Sequence, residues 1–161
     1  MLQKIFPAAL INTIKIRLYT FFKIPLIHHI APRVKELGDA RTVVIIPLSR
    51  RTKNHLNSIY FGALSVGADL CVGLMARYHV EQSGRNVVLV FKDFKADFKK
   101  LAKSDAHFIC DEGEKVRTLV NHTIESGARE NATIHGYAIC PKASGDEVVM
   151  DFDLTLSLKC K

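Results

Sequence analysis

The sequence predicts an α+β fold in which one curved antiparallel sheet wraps around a single buried helix. Residues 60–76 are apolar nearly all round apart from one acid, Asp69, which is typical of a buried helix. Residues 148–158 alternate between apolar and more polar side chains, as does a strand with one buried face in an antiparallel sheet. Shorter strand-like segments flank the helix, and a sheet curled around it would bury it on most sides.

Length and composition indicate one folded domain with an anionic partner. The chain has 161 residues, of which 48% are hydrophobic and 24% are charged, the balance of a globular protein. The net charge of +7 is compatible with a nucleic acid, a lipid surface or a phosphate-bearing ligand. Because the positive charges are scattered in short clusters, they do not favour nucleic acid as the partner.

The four cysteines are widely spaced and contain no C-x-x-C pair, so neither a zinc site nor a disulfide framework is expected. Reduced thiols are typical of a cytoplasmic protein, and that location is the prediction. No metal or cofactor is expected.

Residues 1–38 are predicted to form an N-terminal helical extension, followed by the main domain over residues 39–161. Lysines and prolines interrupt the apolar residues at the start of the chain, so neither a membrane-spanning helix nor a signal peptide is predicted. Leu10, Ile14 and Leu18 recur at helical spacing. This helix is predicted to pack on its own domain or on a partner subunit, and the alternative is docking of a basic amphipathic helix on a membrane surface.

The other elements follow from local patterns. Strands are predicted over residues 42–48, 87–94, 106–110, 132–140 and 148–158. Gly84 is predicted to end the buried helix, and residues 95–103 are predicted to form a loop. Asp111 and Glu114 resemble a capping box at the start of a second helix, which Gly127 would terminate.

The start of the buried helix resembles a motif of the hotdog-fold acyl-CoA thioesterases, in particular their phenylacetyl-CoA-type (PaaI-like) branch. That motif reads N-x-x-G-x-x-H-G-G-A-L, with an acid further along the same helix. Asn54 aligns with its Asn, Gly62 with its second Gly, and Ala63-Leu64 with its final pair. Asp69 then aligns with the acid. Three positions depart from the motif: Asn57 replaces a Gly, Tyr60 the His and Phe61 the first Gly.

The resemblance implies a hotdog fold and a mechanism. The backbone N–H of Gly62, at a helix N-terminus, would polarise the thioester carbonyl. Asp69 would activate water or attack the carbonyl itself, and Asn54 would help to hold the water. Ser65 lies between Gly62 and Asp69 on the helix face, where it could hydrogen-bond the carboxylate or the substrate. Such sites are built across a dimer interface, so the resemblance also implies a homodimer or a dimer of dimers.

The other candidate residues are predicted to bind the substrate rather than to take part in the reaction. Tyr60 and Phe61 would shape the site for the acyl group, since a tyrosine cannot replace the family His as a base at neutral pH. The basic cluster, Arg50, Arg51 and Lys53, either binds the phosphates of coenzyme A or is a solvated loop.

The sequence thus predicts a homo-oligomeric acyl-CoA thioesterase. Two alternatives stay open: a non-catalytic acyl-CoA or lipid-binding hotdog protein, and a membrane-surface module carried by the N-terminal segment. Asp69 itself has a structural alternative, as an acid paired with an arginine or capping backbone amides.

Overall fold

The computed structural model describes residues 7–161 and confirms the predicted architecture of a curved sheet around a long helix. The elements in chain order are α1 (Ala8–Lys23), α2 (Pro25–Ile30), β1 (Arg33–Leu37), β2 (Thr42–Ile46), α3 (Phe61–Ser83), β3 (Val87–Phe98), β4 (Ala106–Cys110), α4 (Gly113–Ser126), β5 (Arg129–Ile139), α5 (Pro141–Ser144) and β6 (Val148–Cys160). The six strands form one antiparallel sheet in the order β1-β2-β4-β5-β6-β3. Among the described residues, no helix is both long and apolar enough to cross a membrane.

Helix α3 is the predicted buried helix. It ends at Gly84, whose positive φ of 64° is a conformation that glycine adopts without strain. Its inner face packs so closely on the sheet that the ring of Phe108 occupies the space of a side chain at Gly67. A Cβ there would lie 2.4 Å from that ring, and this close approach explains the glycine.

One stripe of α3 is not covered by the sheet. Gly62, Ser65, Val66, Asp69 and Gly73 are all only partly buried, whereas most residues between them are buried. Their spacing of three or four residues places them on one face of the helix. Asp69 therefore lies on the open face of α3 rather than in the sheet-packed core.

The predicted buried face of β6 is confirmed, since its apolar residues from Met150 to Leu158 are buried at every second position. The prediction that only one face is buried is wrong at Val149, Thr155 and Ser157, which are buried as well.

The predicted loop over residues 95–103 is wrong at residues 95–98, because β3 continues to Phe98 alongside β6, whereas residues 99–103 lie outside any helix or strand as predicted. A bulge between Phe91 and Asp93 inserts one extra residue, so the positions that pair with the buried residues of β6 shift from 89 and 91 to 94, 96 and 98. Phe94 and Phe98 lie on this side of the sheet but remain 42% and 44% exposed. Because of this shift, the apolar residues of β3 do not recur at every second position throughout, which is the pattern that identifies a strand.

The capping box at Asp111 is also wrong. Helix α4 begins after Glu112, and no side chain caps it. The carboxylate of Asp111 instead forms an ion pair with Arg41 at 2.9 Å and accepts a hydrogen bond from Tyr137 at 3.2 Å. Gly127 does end the helix, with φ of 64°.

The predicted N-terminal helix is present as α1, but its inner face is not the predicted one. Ile16 and Thr20 are buried, whereas Leu10, Ile14 and Leu18 point outward. Strand β1 was not predicted from the sequence. It lies inside the segment assigned to the helical extension and pairs with β2 of the main domain. The side chain of Thr13 on α1 accepts a hydrogen bond from the backbone of Val34 on β1 at 2.9 Å, which ties this helix to the sheet. The division of the chain at residue 38 stays a prediction.

Candidate functional site

Asp69 lies in the wall of a cavity of about 570 Å³. The cavity is enclosed by the open face of α3, by strand β3 and by the inner faces of α1 and α2. Most of its walls are apolar, and they include Ile16, Ile24, Ile27, Leu70, Leu74, Val87, Leu89 and Phe91. This volume is within the usual range for pockets that bind small molecules.

Exposed polar groups lie on the solvent side of this cavity. Arg77 and Glu81, one helical turn apart on α3, form an ion pair of 2.7 Å. The guanidinium of Arg77 also lies 4.7 Å from the centre of the Tyr19 ring, a cation–π contact that links α3 to α1. Because Arg77 is engaged by both neighbours, it is not available as a counter-ion for Asp69.

The carboxylate of Asp69 has no hydrogen-bond or ion-pair partner among residues 7–161. Burial raises the pKa of Asp69 above its ordinary value of 3.8, because the cavity walls remove water from the charged form. The hydroxyl of Ser65 donates instead to the carbonyl of Phe61 at 3.0 Å. The intrachain ion pair of the structural alternative is therefore not present in this part of the chain.

Gly73, one turn after Asp69, leaves room for a Cβ beside the carboxylate. A Cβ at this position would lie 4.0 Å from Oδ1 of Asp69 and 3.6 Å from the ring of Phe91. A larger side chain here would extend into the cavity between the carboxylate and strand β3. The acid therefore faces space rather than packed atoms.

The other residues of the thioesterase-like motif gather at the N-terminus of α3. Gly62 is the second residue of the helix, so its N–H is one of the amides for which the helix itself offers no acceptor. The ring of Tyr60 folds over this residue, and a Cβ at Gly62 would lie 2.6 Å from it. Tyr60 and Phe61 are 50% and 59% exposed, with ring centroids 4.8 Å apart. They form an aromatic surface beside a free helix amide.

Asn54 is held inside the loop that precedes α3. Its side-chain oxygen accepts hydrogen bonds from the backbone of Leu56 at 2.9 Å and of Ser58 at 3.2 Å, and its amide donates to the Ser58 hydroxyl at 3.0 Å. The side chain thus shapes the loop. A role in holding water would have to use its remaining donor.

The same loop carries the basic cluster of Arg50, Arg51 and Lys53, all of them exposed. Lys53 donates to the side chain of Asn57 at 3.2 Å, and within residues 7–161 none of the three cations has an acidic partner. The loop backbone is fixed, since the Tyr60 N–H donates to the Thr52 carbonyl at 2.7 Å. These cations are therefore held near the Gly62 end of α3.

The structure thus separates the predicted site into two parts within one chain. Gly62 and Asp69 are seven residues apart on one helix, which is roughly 10 Å along its axis. A carbonyl that accepts a hydrogen bond from Gly62 at about 3 Å cannot also contact the Asp69 carboxylate directly, so within one chain only an intervening water could connect the two groups.

Sequence reasoning missed the contribution of α1 and α2 to the cavity, through Ile16, Tyr19, Thr20, Ile24 and Ile27. The sequence does carry a sign of this contribution, because helix α1 is apolar on both faces. The outward stripe at Leu10, Ile14 and Leu18 hid the inward one.

Comparison with protein families gives a match over residues 14–127 to the model of a domain of unknown function, DUF4442. This range covers more than two thirds of the chain. The chain belongs to the DUF4442 family. No curated protein matches the sequence.

Several solved structures share the fold of this DUF4442 chain. A protein of unknown function from Chlorobaculum tepidum superposes with a TM-score of 0.80 at 10% identity, covering 93% of this chain and 95% of its own. A Pseudomonas aeruginosa protein described as a probable thioesterase has a TM-score of 0.74 at 22% identity, covering 92% and 96%. A thioesterase from Haemophilus influenzae has a TM-score of 0.64 at 12% identity, covering 89% and 88%. The predicted hotdog fold is confirmed.

Proposed function

We propose that this protein is an acyl-CoA thioesterase in which Asp69 activates the attacking water. The observation that carries the proposal is a half-buried carboxylate that has no partner in the described chain and faces an open apolar cavity. Retaining an unpaired carboxylate costs stability, and such costs concentrate at functional sites. Structural neighbours named as thioesterases support the reaction class.

In the proposed reaction, the Asp69 carboxylate takes a proton from water as the water oxygen attacks the thioester carbonyl carbon. The oxyanion that forms accepts a hydrogen bond from the Gly62 N–H at the positive end of α3. The carbon–sulfur bond then breaks, and the proton passes to the leaving thiolate. The products are a carboxylic acid and coenzyme A with a free thiol.

We propose that Asp69 and Gly62 of one site come from different subunits of a homodimer. Their separation along one helix supports this arrangement. Strand β3 supports it too, because it is a 12-residue edge strand that exposes Val90, Phe94 and Phe98. An edge strand of this length is open to pairing with a second copy. Two sheets joined at β3 would bring the open faces of the two α3 helices together.

The cavity is the proposed site of the acyl chain, and the basic cluster is the proposed site of the coenzyme A phosphates. Apolar walls suit a hydrocarbon chain, and three unpaired cations suit phosphate groups. The Tyr60–Phe61 surface lies between these two regions in the dimer. Whether the enzyme belongs to the phenylacetyl-CoA-type branch depends on whether the cavity prefers aromatic or straight acyl groups.

The second candidate is an acyl-CoA or lipid-binding protein without hydrolysis. It is favoured by the Asn54 side chain, which is largely occupied by its own loop, and by the Tyr60 ring over Gly62. The same cavity would then hold a ligand that no water attacks.

A panel of aliphatic and aromatic acyl-CoA esters, assayed for free thiol, tests the proposal. We expect release of coenzyme A from at least one ester. Saturable binding of an ester with no thiol release would contradict hydrolysis and support the second candidate.

Gly73→Leu tests the acyl site, because the new side chain would fill the space beside Asp69. We expect kcat/KM to fall much more for a long-chain ester than for acetyl-CoA. Gly73→Ala is the matched control, since its Cβ makes only ordinary contacts. An equal loss for long and short esters would remove the cavity from acyl recognition.

A further inference from the structure

The outer face of the N-terminal helices is apolar and unpartnered in the described chain. Leu10, Ile14, Leu18, Phe21 and Phe22 of α1 are all exposed, and Phe22 is 71% exposed. At 100° per residue they occupy an arc of about 120° on the side opposite Ile16 and Thr20. Leu26 of α2 is also exposed, at 63%. A helix that is apolar on both faces needs cover on both, and the domain covers only one.

Basic side chains flank this stripe. Arg17 lies at one edge of the arc and Lys15 at the other, and Lys23 ends the helix. Residues 1–35 contain six lysines and arginines and no Asp or Glu, so the rest of the chain contributes only +1 of the net charge of +7. Almost the entire charge imbalance of the protein is therefore in the segment that carries the exposed apolar face.

We infer that α1 and α2 dock this protein on an anionic lipid bilayer, with the apolar stripe in the interface and Lys15 and Arg17 against the headgroups. An apolar face edged by lysine and arginine is the pattern of interfacial helices, and each cation adds attraction to an anionic surface. This inference does not depend on thioesterase activity.

Charge argues against a second copy as the occupant of this face. Two-fold association would place the same surface of each subunit against the other, and it would bring the flanking cations Lys15 and Arg17 close to their own copies. The segment offers no carboxylate to offset that repulsion. An anionic bilayer satisfies both the apolar stripe and the cations.

Docking would place the cavity next to the lipid. The inner faces of the same two helices, through Ile16, Ile24 and Ile27, form one wall of the cavity that contains Asp69. The helices thus separate the bilayer from the cavity by one layer of backbone. A protein held there would meet amphipathic ligands at the membrane surface rather than in bulk water.

Vesicle co-sedimentation of the full chain tests the inference. We expect the protein to pellet with phosphatidylcholine vesicles that contain about one third phosphatidylserine, and to pellet much less with phosphatidylcholine alone. Lys15→Glu/Arg17→Glu should weaken partitioning at least about 30-fold, since each lysine or arginine near an anionic surface adds about a factor of five. Arg85→Glu/Lys142→Glu makes the same charge change on exposed residues elsewhere and should bind nearly as well as wild type.

Leu18→Ser/Phe22→Ser separates lipid from a second copy. Both side chains are exposed, so the fold should persist, and vesicle binding should be lost while the mass in sedimentation equilibrium is unchanged. A fall in mass would make this face a subunit interface and overturn the inference. Unaltered vesicle binding by this variant, or no wild-type binding to either vesicle, would overturn it as well.

A single tryptophan reports the orientation, because the natural sequence has none. Phe22→Trp fluorescence should shift to the blue on anionic vesicles and be quenched by lipids brominated in their acyl chains. Phe94→Trp, on strand β3, is the matched control and should not be quenched. Quenching of Phe94→Trp without quenching of Phe22→Trp would place the lipid contact elsewhere and refute the assignment.

Discussion

Helix α3 carries Asp69 on its open face and His79 on its buried face, and the surroundings of these two residues differ. His79 is 4% exposed, and its Nε2 donates to the carbonyl of Asp39 at 3.0 Å. Burial lowers the pKa of His79, so it is neutral at pH 7, and the Asp39 carboxylate pairs instead with Arg117 at 3.0 Å. Asp69 has no such partner in the described chain. The fold thus provides a hydrogen-bond partner for the buried His79, and among the described residues it provides none for the half-buried carboxylate of Asp69.

The largest effect is expected from Asp69→Asn. This substitution should keep the fold and lower kcat for the preferred ester by roughly a hundredfold or more, the scale expected for loss of a general base. The measurement is steady-state release of free coenzyme A at saturating substrate. His79→Gln, on the same helix, is the matched control and should change kcat by less than about threefold, because it lies roughly 15 Å along the axis from Asp69. Equal activity in wild type and Asp69→Asn would remove this acid from the mechanism.

The opposite pattern is expected for His79→Ala. Loss of the hydrogen bond to Asp39 and of a buried ring should lower the free energy of unfolding by about 2–4 kcal/mol. Denaturant unfolding measures this change. The kcat of the folded variant should stay near the wild-type value. A large fall in kcat with unchanged stability would assign His79 to the site and break the comparison.

The contrast between partnered and unpartnered groups extends to the cations. Replacing Arg50, Arg51 and Lys53 together by Gln should raise KM for an acyl-CoA about tenfold with little change in kcat, because uniform binding of the phosphates is lost. Initial rates at low ionic strength measure both constants.

The control for the basic cluster uses cations that already have acidic partners. Arg33, Lys100 and Lys115 pair with Asp105, Glu147 and Glu112 respectively. Replacing these three by Gln makes the same charge change and should leave KM within about twofold, since paired surface ions attract a ligand weakly. Equal KM values for the two triple variants would return the basic cluster to the role of a solvated loop.

The smallest effect concerns stability and pH. Because the folded pKa of Asp69 is raised above 3.8, the contribution of this group to the free energy of unfolding is fully present below that value and is lost as pH rises through the folded pKa. Asp69→Asn removes this loss. It should therefore melt a few degrees higher than wild type at pH 7, since about 1 kcal/mol corresponds to roughly 2–4 °C in a chain of this size.

This difference in melting temperature between wild type and Asp69→Asn should disappear at acidic pH. Thermal melts below pH 3.8 are expected to give similar midpoints for the two proteins, because wild-type Asp69 is then mostly protonated in the folded and the unfolded state. A variant that melts lower than wild type at pH 7 would show that the carboxylate is paired in the assembled protein, and the structural alternative would regain support.

The regular patterns made much of the fold predictable from the sequence. Helix α3 and strand β6 follow from an unbroken apolar segment and from strict alternation, both of which report burial directly. The end of β3 could not be predicted, since the bulge after Phe91 changes the phase of its alternation. Strand β1 was missed because it is only five residues long and mostly exposed.

The site was predictable only in part. Asp69 stands out in sequence because no other charge interrupts its helix segment. The cavity cannot be recognised in the sequence, because its walls come from α1, α2 and β3, which are far apart in the chain and meet only in three dimensions. The engagement of Asn54 by Ser58 is likewise a matter of loop geometry that no residue pattern reveals.

Subunit mixing tests the central claim most directly, namely that the unpartnered Asp69 acts with Gly62 of a second copy. Asp69→Asn and Gly62→Pro subunits are co-refolded in equal amounts, and thioester hydrolysis is measured. Proline at the second helical position removes the N–H and is tolerated in a first turn. Gly62→Ala keeps the N–H and displaces the exposed Tyr60 ring in the same way, so it is the control. With a shared site, half of the dimers are mixed and each has one intact site, so about a quarter of wild-type activity should return. If mixing restores no activity although mixed dimers form, each site lies within one subunit and the account is contradicted.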